Sequence, residues 1–136
     1  MSSFSIALPI ARDSADGFRM IKDFKSLIKQ NLKMLVLTNP GERVMIPGFG
    51  IGIKTMLFEN FGTETYSNID NKIREQVKIY MPNIQIISIS FDESMIDANQ
   101  LGIQIMFSIP KIGLTEILKV VVWHKGEITC LINKIK

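Results

Sequence analysis

Metal-binding and disulfide-forming residues are nearly absent from the sequence, which has one cysteine and one histidine in 136 residues. The single cysteine, Cys130, excludes a disulfide within the chain, and one Cys with one His is too few for a zinc site built from these ligands. A serine triad would have to use His124, and the sequence has no Gly-x-Ser-x-Gly. We therefore expect no metal and no cofactor.

Long hydrophobic runs are also absent, since no stretch approaches the ~18 consecutive apolar residues of a transmembrane helix. The first residues, MSSFSIALPIARD, carry no basic side chain before their short apolar stretch, unlike a signal peptide. The sequence therefore predicts a protein that stays in the cytoplasm and makes no membrane contact.

Neither sign of charge dominates, and the formal net charge is +3. Residues 1–44 have seven basic and four acidic side chains, residues 45–100 have four and seven, and residues 101–136 have five and two. No basic cluster interleaves with aromatic residues, so we expect no nucleic-acid partner. The alternation of sign favours charge-matched protein contacts, although solvated faces would give the same pattern.

The composition, 46% hydrophobic and 21% charged, is that of a globular protein. The length suits one domain. We predict a single domain, 1–136, in which residues 1–16 are an N-terminal extension. Residues 17–82 form a helical part with a loop at 39–50, and residues 83–136 form a strand part.

The helical part is predicted from apolar residues that recur at steps of three and four. The first helix would run from Gly17 to Leu37, with Asp16 as its N-cap and an end before Pro40. Its apolar face comprises Ile21, Phe24, Ile28, Leu32 and Leu35. Its outer face comprises Lys22, Lys25, Lys29 and Lys33.

Two further helices are predicted. A short one covers Ile51 to Glu59. A longer one is capped by Thr63 or Thr65 and ends at Pro82. The apolar residues of the longer helix are Tyr66, Ile69, Ile73, Val77 and Tyr80.

After Pro82 the apolar period changes to two, which is typical of half-buried strands. Ile87, Ile89 and Phe91 form the first alternating set. The second set is Ile103, Ile105, Phe107 and Ile109. Further strands are predicted over Glu116–Trp123 and Glu127–Ile132. Helices followed by strands predict an α+β fold with an antiparallel sheet of three to four strands, whose open edges can pair with another chain.

The connector NPGERVMIPGFG, from Asn39 to Gly50, allows three interpretations. It could be a phosphate-binding loop, a catalytic loop or a shaped surface for a protein partner. Its glycines lack P-loop spacing and no strand precedes it, which argues against phosphate binding. Its prolines restrict φ and its glycines permit unusual turns, so the loop is predicted to be rigid. A plain connection between two helices would need the same residues.

Acidic residues near the second and third helices could serve a glycoside hydrolase, which needs two carboxyl groups. They are Glu59, Glu64, Asp70 and Glu75. Acids near a helix start also suit the helix dipole, and nothing in the sequence marks one of these as desolvated.

The run from Asn31 to Asn60 resembles the phage baseplate wedge family that includes the sheath initiators of contractile tails. The resemblance covers roughly residues 20–92 and also includes the helix that ends at Pro82. The family pattern is Gly-x-Arg, then Pro-x-Phe-Gly, then Leu-Phe-Glu. The matching residues are Gly41, Arg43, Pro47, Phe49, Gly50, Leu57, Phe58 and Glu59.

One departure stands out at the end of the long helix. The family usually has Glu-Pro-Arg there, and this chain has Met81, Pro82 and Asn83. Both charges are missing, so any ion pair that they make with neighbouring chains has to be replaced by other contacts. Apolar groups can replace such pairs with little net loss of stability.

The resemblance implies a structural, non-enzymatic protein of a tail baseplate, assembled in the bacterial cytoplasm. It implies six copies around the tail axis, in contact with wedge proteins and with tail tube or hub proteins. The first sheath ring would build on its strands, with Val120, Val121 and Val122 pairing with a sheath strand. It also implies partner contacts at the loop, at Phe58 and Glu59, and at Met81–Asn83.

Two alternatives stay open from the sequence. The family also carries a lysozyme label, so a peptidoglycan hydrolase using Glu59 or Glu64 is the enzymatic alternative. An adaptor unrelated to tails is the other. The residues also leave open the kind of particle, because phages, bacteriocins, extracellular injection systems and type VI secretion baseplates share this pattern.

Overall fold

The computed structural model describes residues 3–56, 62–92, 100–123 and 128–129. Three helices and eight strands occur in these ranges. The helices are α1 (Phe24–Leu37), α2 (Ile53–Met56) and α3 (Thr63–Tyr80). The N-terminal strands are β1 (Ser5–Ile6), β2 (Arg12–Asp13), β3 (Gly17–Phe18) and β4 (Met20–Ile21). The C-terminal strands are β5 (Gln85–Asp92), β6 (Gln100–Ile109), β7 (Leu114–Trp123) and β8 (Ile128–Thr129).

The N-terminal segment is a β-hairpin, so the predicted start of the first helix at Gly17 was wrong. β1 pairs with β4 and β2 pairs with β3, both antiparallel. Gly17 follows the turn with a φ of 77°, a conformation that glycine adopts without strain. The helix begins only at Phe24. There Asp23, and not Asp16, caps it by accepting a hydrogen bond from the Ser26 N–H at 3.2 Å.

Gln30 of α1 fastens this hairpin to the helical part. Its side-chain oxygen accepts a hydrogen bond from the Leu8 N–H at 2.9 Å. Its side-chain nitrogen donates to the Ile6 carbonyl at 3.0 Å. One amide thus satisfies two backbone groups at the end of β1.

The lysine residues of α1 were predicted to form an outer, solvent-facing surface. In the structure, two of them contact the sheet instead. Lys29 Nζ lies 2.8 Å from one carboxylate oxygen of Glu116 in β7, and Lys25 Nζ lies 3.5 Å from the other. The hydrogen bond from Lys29 lowers the pKa of Glu116 most, against a rise from partial burial, and the charges of both lysines lower this pKa further. This cluster ties α1 to the sheet.

Glu116→Gln is expected to lower the free energy of unfolding by about 1 kcal/mol at pH 7. The folded-state pKa of Glu116 is depressed, so its contribution is present above the ordinary value of 4.5 and is lost as the pH falls through the lowered pKa. Urea unfolding should therefore show a larger difference from wild type at pH 7 than at about pH 3, where more of the Glu116 carboxyl group is protonated. Glu75→Gln, on the exposed side of α3, is the control. Equal losses at both pH values would contradict the ion-pair explanation.

The C-terminal strands form an antiparallel sheet in the order β5-β6-β7-β8, which confirms the predicted α+β fold. β6 and β7 pair along ten consecutive positions, from Gln100↔Trp123 to Ile109↔Leu114. Period-two alternation makes one face of this pair apolar. The buried residues of the pair are Leu101, Ile103, Ile105, Phe107, Ile109, Leu118, Val120 and Val122.

Ile87 was predicted to face the core, but it lies on the exposed face of β5. The β5–β6 register shifts between Ile86 and Ser88, a β-bulge. The bulge places Ile86, Ile89 and Phe91 against the core, while Ile87 is 51% exposed. An extra residue in one strand reverses the facing of the residues before it, so the simple alternation through Ile87 was wrong there.

The helices cover the apolar face of the sheet, with α1 against β7 and α3 against β5. One hydrophobic cluster draws residues from all three helices and from β5, β6 and β7. The helical members of this cluster are Ile28, Leu32, Leu35, Val36, Leu37, Ile53, Met56, Ile69, Ile73 and Val77. None of the described helices is long and apolar enough to span a membrane.

Candidate partner-binding surface

The segment between α1 and α2 is a loop closed by its own backbone. The Gly41 N–H donates to the Pro47 carbonyl at 2.8 Å, which brings the two ends of a short apolar tip together. Asn39 and Glu42 brace the base of the tip. The Glu42 carboxylate accepts from the Asn39 backbone N–H at 3.1 Å and from the Asn39 side-chain amide at 2.9 Å.

Gln76 of α3 holds the far side of this loop. Its side-chain oxygen accepts from the Gly50 N–H at 3.1 Å, and its side-chain nitrogen donates to the Gly48 carbonyl at 3.2 Å. Between them, Phe49 is buried and meets the Tyr80 ring edge-on at 5.0 Å. The loop is therefore fixed to the C-terminal half of α3.

Gly50 occupies a position that no other residue can fill without strain. Its φ is +111°, and a Cβ there would collide with the Thr38 carbonyl oxygen. The next two residues return to the end of α1, because the Ile51 N–H donates to Leu35 and the Gly52 N–H donates to Thr38. The close approach of these two backbone segments depends on the missing side chain.

Arg43 stacks on the loop itself. Its guanidinium carbon lies 4.1 Å from the centre of the Phe49 ring, a cation–π contact. Arg43 forms no ion pair with any residue that the structure describes, and its side chain is exposed. The stack fixes the plane of the guanidinium while its N–H groups can still donate to a partner.

The tip of the loop presents apolar side chains that sequence reasoning did not select. Val44 and Met45 are 91% and 92% exposed, and Ile46 is 43% exposed. Contiguous apolar side chains on the surface of a protein are typical of sites that bind another protein. The signal was present in the sequence as the run VMI between two turn-forming stretches.

The turn after α3 lies at the same end of the molecule as this loop. The Met81 N–H caps α3 by donating to Val77, and the Ile84 N–H then donates to Met81. Pro82 and Asn83 are exposed. Contact between Phe49 and Tyr80 joins the loop to this turn, so the structure brings these two predicted regions together.

The three valines of β7 do not form a shared side-chain surface. Val120 and Val122 are buried in the core, and Val121 lies on the opposite face of the sheet. In addition, Val121 pairs with Thr129 and Val122 pairs with Ile128, so β8 already occupies that side of β7. Phe58 and Glu59 lie outside the described residues.

Three of the four acidic residues considered for a glycoside hydrolase lie within the described ranges. Glu64 and Glu75 are exposed, and Asp70 accepts a 2.9 Å hydrogen bond from Arg74 four residues later. A glycosidase would need two carboxyl groups facing one site, one of them poorly solvated. Glu64 and Glu75 are solvent-exposed and Asp70 is paired with Arg74, so these three residues do not supply the poorly solvated carboxyl group.

The family assignment comes from the region that contains these features. Residues 22–111 match the family described as baseplate wedge protein gp25. The chain belongs to this baseplate wedge family. The match includes α1, the loop, α3 and the first two strands of the large sheet, whereas the N-terminal hairpin and β7 lie outside it.

Two solved structures share the fold of this wedge protein. One is a cryo-EM structure of the anti-feeding prophage baseplate, 6-fold symmetrised, with a TM-score of 0.66 and 27% identity. The aligned region covers 76% of this chain and 82% of the prophage baseplate chain. The other is a Geobacter sulfurreducens protein described provisionally as a tail lysozyme, with a TM-score of 0.68 and 24% identity over 76% of this chain and 93% of that chain. No curated protein is similar enough in sequence to match the chain.

These matches support a structural role in the baseplate of a phage or of a prophage-like injection system. The description as a lysozyme belongs to the Geobacter protein, and its 24% identity shows a shared fold alone.

Proposed function

We propose that this wedge protein joins the components of a contractile-tail baseplate and initiates polymerisation of the sheath. Membership of the baseplate wedge family over residues 22–111 carries the proposal. The C-terminal sheet supports the second part, because an antiparallel sheet with edge strands can accept a strand from another chain. Backbone hydrogen bonds would supply affinity, and alternate side chains would fix the register.

The proposed partners are the sheath protein, other wedge proteins, and tube or hub proteins. Six copies would surround the tail axis, which agrees with the 6-fold symmetry of the anti-feeding prophage baseplate. Assembly would take place in the bacterial cytoplasm. The proposal involves no nucleic acid, no membrane, no cofactor and no catalysis.

The loop and the turn after α3 are the proposed contact to the wedge partners. Arg43, held over Phe49, would donate to a carboxylate or a backbone carbonyl of a partner. Pro47 and Gly50 set the shape of the loop, and Met81–Asn83 extends the contact. Phe58 and Glu59, which match the family pattern, stay predicted members of this contact.

The sheath contact needs a strand edge that β7 does not offer at Val121. That residue pairs with Gly102 on one side and with Thr129 on the other. A proline at Val121 would remove a donor from the protein's own ladder, so it would test folding more than sheath assembly. Sheath assembly is therefore tested with the intact protein.

The test is a mixing experiment with the neighbouring sheath and wedge proteins, imaged by electron microscopy. We expect sheath-like rings or tubes that grow from assemblies containing this protein and that are absent without it. Association with neither partner would overturn the proposal. Peptidoglycan cleavage by the same preparation, lost in Glu64→Gln or Glu59→Gln, would replace it with the hydrolase.

A further inference from the structure

Two neighbouring apolar side chains at the outer end of the loop between α1 and α2 stand almost wholly in solvent. They are Val44 and Met45, at 91% and 92% exposed, and we call them the Val44–Met45 pair. The next most exposed large hydrophobic side chain among the described residues is Ile10, at 65%. Two adjacent side chains that project this far keep the full cost of apolar hydration until another molecule covers them.

The fold of the loop prevents the Val44–Met45 pair from turning inward. The Gly41 N–H donates to the Pro47 carbonyl at 2.8 Å and closes the loop below the pair. On the far side, the Phe49 N–H donates to the Ile46 carbonyl at 3.1 Å. Residues 42–46 are therefore held in a closed turn, and removal of the pair from water requires a second molecule.

The charge beside the Val44–Met45 pair is positive. Arg43 directly precedes the pair, and its stacking on the Phe49 ring at 4.1 Å fixes the position of the guanidinium. The acidic neighbour, Glu42, is engaged at the base of the loop, where it accepts two hydrogen bonds from Asn39. Arg43 has no ion-pair partner among the described residues. A complementary partner therefore presents a carboxylate next to an apolar surface.

A protein partner fits these features better than a lipid surface does. Arg43 is the one cation in the described loop, residues 39–50. A single Lys or Arg near anionic lipid raises the affinity by only about fivefold, so loops that bind membranes rely on several. A guanidinium held in one plane also favours an acceptor at a fixed position, which a folded protein supplies and mobile headgroups do not.

We propose that the Val44–Met45 pair is an anchor that inserts into an apolar pocket of another protein, with a carboxylate at the rim of that pocket facing Arg43. The methionine side chain is unbranched and polarizable, so it adapts to the shape of a pocket. The closed base of the loop lets the pair enter without an ordering cost to the backbone. The inference rests on the proposed function for the identity of the partner as a wedge protein, and it adds the side chains that supply the affinity of that contact.

The test measures binding of the full chain to the purified neighbouring wedge proteins by isothermal titration calorimetry. Met45→Ser is expected to weaken binding by at least about thirtyfold, because an anchor buried in a pocket carries a large share of the binding energy. Val44→Ser, which removes a smaller side chain, is expected to weaken it by about tenfold. Burial of the pair should also give a negative heat-capacity change that is smaller in Met45→Ser.

Ile117→Thr is the matched control, since it also removes an exposed apolar side chain. Ile117 is 44% exposed and alternates with the buried Leu118, so it lies on the face of the sheet away from the helices and their loop. Threonine is β-branched and suits a strand. We expect the affinity for the wedge proteins to change less than about twofold.

Arg43→Gln tests the charge at the rim of the pocket. We expect binding to weaken by about tenfold, and added salt should lower the affinity of this variant less than that of the wild type. Urea unfolding shows first that each variant folds. The Val44–Met45 pair is so exposed that its serine variants should keep the stability of the wild type.

Equal affinities of the wild type and Met45→Ser would overturn the inference and leave the proposed wedge contact intact. Absence of binding by the wild type would overturn the proposed wedge contact and the inference together, so the wild-type titration distinguishes the two failures. Vesicles of phosphatidylcholine and phosphatidylserine are the second probe. Vesicle binding by the wild type that Met45→Ser lacks would replace the protein pocket with a lipid surface.

Discussion

Gly50→Ala is expected to lower the free energy of unfolding by about 3–5 kcal/mol, among the largest effects of any single substitution in this chain. The positive φ of +111° costs an alanine about 1–2 kcal/mol. The larger part comes from the added methyl group, which would overlap the Thr38 carbonyl oxygen and lie 2.8 Å from the Thr38 carbonyl carbon. Both neighbours are backbone, so neither can rotate away.

Gly41→Ala is the matched control for this prediction. Gly41 also has a positive φ, +92°, but a Cβ there would have nothing within 4 Å. We expect a loss of only about 1–2 kcal/mol, from the backbone conformation alone. Urea unfolding of both variants, monitored by circular dichroism, measures the difference. Similar losses in the two variants would show that the Thr38 contact does not limit position 50.

Phe107→Ala is expected to lower the free energy of unfolding by about 3–5 kcal/mol. Phe107 is fully buried and lies on the central strand β6, between Ile86 of β5 and Glu116 of β7. Truncation removes a large apolar side chain and leaves a cavity between the sheet and the helices, which a paired strand cannot collapse to fill.

Met106→Ala tests the facing of the same strand. Met106 is the preceding residue, pairs with Ser88 and Ile117, and lies on the face of the sheet away from the helices. We expect a loss of less than about 1 kcal/mol, since little of its contact area is in the core. Chemical denaturation of both variants gives the comparison. A greater loss for Met106→Ala than for Phe107→Ala would mean that the strand faces the opposite way.

The sequence predicted the large sheet best where one residue type alternates over a long strand. Ile103, Ile105 and Phe107 all face the core as expected. The alternation failed at Ile86 and Ile87, because two adjacent isoleucines fit either facing and the bulge depends on how β5 pairs with β6. Local pattern cannot report that pairing.

The N-terminal hairpin was missed for a related reason. Ile21 stands three residues before Phe24, so it continues the helical spacing although it belongs to β4. Short strands of two residues have too few positions to show a period of two. The prediction named only Asp16 as the cap, whereas Asp23 caps the helix in the structure.

The sequence predicted the rigid loop of the candidate surface, but it did not predict the side-chain contacts that hold the loop in place. The prolines and glycines of NPGERVMIPGFG indicated a rigid turn, and the structure shows a closed loop with Gly50 at φ +111°. Gln76 gave no signal, because it lies 26 residues from Gly50 and any polar residue would suit its place in the helical pattern. The stacking of Arg43 on Phe49 likewise depends on the fold of the loop and not on their spacing.

The side chain of Gln76 accepts one hydrogen bond from the loop and donates another to it, which holds the loop in one conformation before any partner binds. A loop already held at Gly48 and Gly50 loses little conformational entropy when a partner arrives. In the proposed partner contact, docking of this loop would then require no folding step, and its association rate should be set by diffusion and orientation. In a particle built from many copies, such preorganisation would let each copy join in the same geometry.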